Sequence, residues 1–205
     1  DMEQSINALF GSKTRVKLLN LFFNKPDEKF YVREISRIID EQVNSVRREL
    51  TNLEGVGVVK SSTEDRKIFY RANQRFKYYL PLRVIFAGVQ FSEKEHDVKN
   101  ATVSDNWQNK ISNVKNSLDL LILFGVFTDD EKSDIDLLIV GNNFNGSLSK
   151  WAADLEKQEG RELNYMILSM EDFYYRYTTQ DTFVKQLFNG KYNIVFDKEN
   201  LLEKL

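Results

Sequence analysis

"YVREISRIIDEQVNSVRRELTNLEGVGVVKSSTEDRKIFYRA", residues 31–72, carries two helical patterns followed by two short strands. In "YVREISRIID" the apolar positions Val32, Ile35, Ile38 and Ile39 mark one helix face. A polar turn at Asp40 and Glu41 leads into "QVNSVRRELTNLEGVG", where Val43, Val46, Leu50 and Leu53 recur at spacings of 3, 4 and 3 and form one stripe. Gly55 and Gly57 end that helix, and "VVKSS" and "KIFYRA" read as strands about the polar tip "TEDR". Upstream, "NALFGSKTRVKLLNLFF" places Leu9, Val16, Leu19, Leu21, Phe22 and Phe23 at roughly helical spacing, with Ser12 or Thr14 available as a cap.

Helix, helix, turn, helix and hairpin is the order of a winged helix-turn-helix, whose third helix enters the major groove of DNA. Residues 6–88 resemble winged-helix regulators of the broad bacterial and archaeal type through "LFGSKTRVKLLNLFF", "FYVREISRII", "NSVRRELTNLEGVGVVKS" and "RKIFYRAN". On the exposed face of the third helix, Arg47 and Arg48 suit guanine or phosphate, Asn44 suits adenine, Ser45 suits a phosphate oxygen, and Asn52 completes the row. Arg66 and Lys67 at the hairpin tip would meet the minor groove or the backbone. For each residue alone, a solvated charged surface is the competing reading.

The chain has 205 residues, 41% hydrophobic and 29% charged, with two prolines and no cysteine. This is the composition of a globular protein, and it excludes disulfides and thiolate chemistry. No apolar run reaches the ~18–20 residues of a membrane span, and the first residues lack the order of a signal peptide, so a cytoplasmic protein without a membrane partner is expected. The net charge of −2 conceals an asymmetry: residues 1–90 hold 16 basic against 11 acidic side chains, and the remainder 13 against 20. A basic front and an acidic back point to different partners. Residues 1–88 are read as the DNA-binding domain, 89–117 as a helical connector and 118–205 as a second domain. The aromatic segment with Phe76, Tyr78, Tyr79 and Phe86 suits either pairing of two copies or packing against the first helix. His96, the one histidine, has no partner for metal or acid–base work in its neighbourhood of sequence.

In the back half, "LDLLILFG" and "SDIDLLIVG" read as two buried strands joined by a short loop. Strand alternation would send Asp134 and Asp136 to one face, roughly 6.5–7 Å apart at the backbone, within reach of one cation. The competing reading is that both sit at the wet end of the strand.

"LFGVFTDDEKSDIDLLIVG" resembles the core motif of minimal nucleotidyltransferase domains, relatives of the polymerase-beta superfamily, and the resemblance extends over residues ~118–197. It implies an α+β chain whose second domain is a small α/β fold with a mixed sheet. It also implies Mg2+ at Asp134 and Asp136, and a nucleotide near Gly125 and Lys132. The sequence departs from the family at the phosphate grip, where Val126 replaces serine, in the acidic pair Asp129 and Asp130, and at Asn164, which stands where a carboxylate base is expected. The expectation is therefore a sequence-specific, homodimeric regulator of double-stranded DNA whose degenerate nucleotidyltransferase-like domain serves ligand sensing or assembly. The alternative is a Mg2+-dependent enzyme moving a nucleoside monophosphate onto a protein, nucleic acid or small molecule. A third reading is a protein that acts through a protein partner alone.

Overall fold

A computed structural model describes residues 7–88, 103–128, 130 and 132–203. The chain divides into two compact units, residues 1–91 and 92–205.

In the first unit, helix α1 (Lys13–Asn24) starts at Ser12, whose hydroxyl accepts the Arg15 N–H at 3.2 Å. It buries Val16, Leu18, Leu19, Leu21, Phe22 and Phe23. Leu9, read from sequence as part of the same stripe, is 79% exposed. Gly11, with a φ of 70°, breaks the helical phase between Leu9 and α1. Strand β1 (Phe30–Tyr31) runs directly into α2 (Val32–Ile39), which buries Ile35 and Ile39 and leaves Ile38 half exposed.

After the turn, α3 (Val43–Gly55) buries Val46, Leu50 and Leu53. It ends in a left-handed Gly57, with the Val58 N–H donating back to the Leu53 carbonyl at 2.9 Å, a Schellman-type closure. Strands β2 (Val59–Glu64) and β3 (Lys67–Ala72) pair antiparallel, and β1 adds to the far side of β3. The two-residue tip, Asp65 and Arg66, has φ of 47° and 65°, the geometry that matches the twist of a tight hairpin. Helix α4 (Tyr79–Ala87) then packs on α1: the Phe23 ring lies 6.0 Å from Phe86 and 5.8 Å from Tyr79. Tyr79 and Phe86 are thus core residues of this unit, while Tyr78 is exposed. These elements make a winged helix-turn-helix.

The second unit opens with α5 (Val103–Ile111). Trp107, Ile111 and Val114 belong to its core, so residues 103–117 are structurally part of this unit rather than a separate connector. Residues 89–102, including His96, lie outside the described residues.

Four strands follow: β4 (Leu118–Leu123), β5 (Leu137–Gly141), β6 (Tyr165–Leu168) and β7 (Asn193–Asp197). Their spatial order is β6-β5-β4-β7, with β5–β6 parallel and the other pairs antiparallel, a mixed sheet. Both faces are covered, which is why β4 and β5 read as unbroken apolar runs. Leu121, Leu123, Leu137 and Ile139 pack with α5 and with α6 (Ser147–Glu159). Leu120, Ile122, Leu138 and Val140 pack with Phe173 of α7 (Met170–Thr178) and Leu187 of α8 (Thr182–Asn189). A register shift between Leu118 and Leu120 lets Leu118 share a face with Leu121.

Candidate functional site

Burying Val46, Leu50 and Leu53 fixes which way α3 turns: Asn44, Arg47, Arg48 and Asn52 are exposed and Ser45 is half-buried. Two sets of contacts hold this helix. Glu49, on the buried side and only 3% exposed, receives the Arg15 guanidinium at 3.0 Å, while another nitrogen of Arg15 donates to the Phe10 carbonyl at 2.9 Å. Burial pushes the Glu49 carboxyl upward, but hydrogen bonds from Ser12, Arg15 and Asn52 outweigh it, so the group titrates below its ordinary value.

The second set grips the turn between α2 and α3. Lys17 Nζ sits 2.8 Å from the Glu41 carboxylate and donates to the Ile39 carbonyl at 2.7 Å, and Thr14 adds a bond to Glu41 at 3.3 Å. Ser36 Oγ donates to the Glu41 carbonyl at 2.6 Å. The Lys17 hydrogen bond, the largest influence, lowers the Glu41 carboxyl.

The wing is fastened separately. Lys29 pairs with Glu64 and lies 5.2 Å from the centre of the Phe69 ring, and Lys67 lies 5.6 Å from the centre of the Tyr31 ring. Ser61 on β2 donates to Glu54 near the end of α3. Burial and the Glu54 carboxylate raise the Tyr70 hydroxyl above its ordinary value, with Arg47 opposing them, so α3 and β3 share one electrostatic environment.

Two sets of basic side chains stand out in this unit. Arg15, Lys17, Lys25 and Lys29 are committed to carboxylates of their own chain. Among the described residues Arg33, Arg37, Arg47, Arg48 and Arg66 are exposed and make no ion pair. Arg33 and Arg37 were not singled out from sequence. The signal was present, since they stand four apart on α2, off the face that Ile35 and Ile39 bury.

In the second unit the residues Asp134 and Asp136 do not share a strand face. β5 begins at Leu137, and residues 134–136 are irregular backbone, so period-two alternation does not apply to them. Asp136 is fully buried; one oxygen accepts the Val126 N–H at 2.9 Å and the other the Asn164 N–H at 2.8 Å. It fastens the loop after β4 to the segment before β6. The Val126 N–H, at the position of the family's phosphate grip, donates to that carboxylate.

Asp134 is exposed, and its carbonyl accepts from the Asn164 side chain at 3.0 Å. Gly125 is buried, with a φ of 48°, and its carbonyl accepts the N–H groups of Thr128 at 3.0 Å and Asp130 at 3.1 Å. Lys132 and Asp134 instead line a cavity of about 450 Å3 between this loop and α8; Gly125 and Asp136 do not. Among the described residues no group of three His, Asp or Glu side chains is disposed to hold a metal ion. Of the two carboxylates that the resemblance assigned to Mg2+, Asp136 thus has both oxygens engaged by backbone N–H groups, and Asp134 is exposed.

No protein-family model matches the chain, and no curated protein matches it. Solved structures similar to it include MepR, a transcription regulator of the Staphylococcus aureus multidrug efflux pump MepA, at 14% identity and a TM-score of 0.36, covering 56% of this chain and 84% of that one. Reduced HlyU from Vibrio cholerae is 15% identical with a TM-score of 0.32, over 46% of this chain and 93% of its own. Reduced AbfR bound to DNA is 14% identical with a TM-score of 0.34, over 48% and 74%. The winged fold rests on the chain's own helix order and hairpin. No helix among the described residues is long and apolar enough to cross a membrane.

Proposed function

We propose that the chain is a transcription regulator that binds double-stranded DNA through α3 and its wing, acts as a homodimer on a two-fold site, and carries a second unit derived from a nucleotidyltransferase fold and used for ligand sensing or assembly. The observation that carries the reading is the separation of cations. Among the described residues, every guanidinium on the outward face of α2, α3 and the hairpin tip is without a carboxylate partner, while α3 itself is fixed from behind by the Arg15–Glu49 pair. Unpaired, exposed guanidinium groups on a rigid helix can take phosphate oxygens and guanine edges without first breaking an internal pair.

Two features support a non-catalytic second unit. Asp136 is occupied by backbone donors, and the acidic Asp130 and Asp134 face the cavity where a triphosphate would bring further negative charge. The test is selection of duplexes from a random library by the full chain, followed by anisotropy titration. Arg47→Ala with Arg48→Ala should abolish binding; unchanged affinity in that variant would end the proposal.

A further inference from the structure

The cavity between the loop and α8 has a lining of mixed character. Its polar lining includes Lys132 and Asp134, of opposite charge, with Gln186 and Asn189 also on the wall; Phe183 and Leu187 are its apolar residues. Lys132 and Asp134 line the same space with opposite charge, yet neither side chain makes an ion pair or a hydrogen bond among the described residues. Asp130 also lines the cavity, but its two oxygens already accept the N–H groups of Lys132 at 3.2 Å and Lys191 at 3.3 Å. Among the described residues the lining therefore carries two carboxylates, Asp130 and Asp134, and one ammonium, Lys132, a formal charge of −1. That balance selects against a polyanion such as a nucleoside triphosphate. It admits a molecule that brings one positive and one negative group.

The volume, about 450 Å3, lies in the range of small-molecule sites, roughly 300–1,000 Å3. We infer that this cavity binds a zwitterionic small molecule of the α-amino-acid class with an apolar side chain. Its ammonium is held by Asp134 and its carboxylate by Lys132, and its side chain lies on Phe183 and Leu187. The inference rests on the reading of the second unit as a ligand-binding module and is independent of the DNA contacts of α3.

The test is calorimetric titration of the full chain, without DNA, with each of the twenty free L-amino acids and with ATP plus Mg2+. The expected result is binding of at least one apolar amino acid. Its N-acetyl and deamino derivatives should fail to bind, and Asp134→Asn and Lys132→Met should each weaken binding by about 10-fold or more, the loss of one charge-assisted contact. Both side chains are exposed, so the variants should keep the fold. Binding of no amino acid, of polar ones alone, or with equal affinity in both variants would overturn the inference, as would binding of ATP in place of an amino acid. Because DNA is absent, each of these outcomes leaves the DNA titration of the Arg47 and Arg48 variants to be judged separately.

Discussion

The salt dependence of DNA binding can be worked from Arg33, Arg37, Arg47, Arg48 and Arg66, the five exposed guanidinium groups that make no ion pair among the described residues of α2, α3 and the hairpin tip. If each neutralises one phosphate, log K falls with log salt at a slope of about −4.5 per subunit, since each contact releases about 0.9 counterion. Between 50 and 200 mM salt that is a loss of roughly 500-fold per subunit. Replacing Arg33 and Arg37 together by alanine removes two contacts, brings the slope to about −2.7 and cuts the loss over the same interval to roughly 40-fold. Sequence preference should survive, because α2 contributes backbone contacts and α3 the base contacts. The Lys17 and Lys29 ammonium groups already have carboxylate partners, so Lys29→Ala should shift the slope by much less. The assay is fluorescence anisotropy on one selected duplex at five or more salt concentrations. A slope unchanged in the Arg33/Arg37 variant, or one as strongly reduced by Lys29→Ala, would refute the division of cations into committed and available.

Four further outcomes follow from the packing. Glu49→Ala leaves Arg15 beside an empty, partly buried site and should cost about 2 kcal/mol in urea denaturation at neutral pH, less than a fully buried pair because Arg15 is partly solvated. The Glu49 carboxyl is depressed below 4.5 in the folded chain, so its contribution is present above that pH and disappears as the pH falls through the folded value. Glu49→Gln should therefore flatten the acid side of the stability profile, and an unaltered profile would contradict the pairing. In the second unit, Asp136→Ala strands two N–H groups and should destabilise by about 2–4 kcal/mol, whereas Asp134→Ala should stay within about 0.5 kcal/mol; equal effects would contradict their different placement. Gly141→Ala would bring a methyl group to 2.1 Å from the Ser117 carbonyl oxygen, so thermal melts should show loss of about 3 kcal/mol or failure of the second unit to fold.

The winged unit was largely legible in the sequence because each signal there is local. The 3-4-3 spacing of Val43, Val46, Leu50 and Leu53 marks the buried side of α3, and Gly57 takes the left-handed conformation that ends it. Leu9 misled because a periodic pattern does not reveal that Gly11 adopts a left-handed conformation and resets the helical phase. Tyr79 and Phe86 left packing and pairing open, and contact with Phe23 on α1, more than 50 residues away in sequence, resolved them.

The carboxylate loop was less legible. Alternation applies only where a strand exists, and β5 starts one residue after Asp136. Whether a carboxylate meets a cation or two backbone N–H groups depends on Val126 and Asn164, which the sequence places 10 and 28 residues away. The cavity wall likewise joins residues 130–134 to α8, a pairing with no local signature.

Hydrogen–deuterium exchange of the full chain, with and without a selected duplex, bears most directly on the regulator reading. Added DNA should slow exchange across Val43–Gly55 and at the hairpin tip around Arg66, at low salt and not at high salt. Protection confined to the second unit, or none along α3, would contradict it.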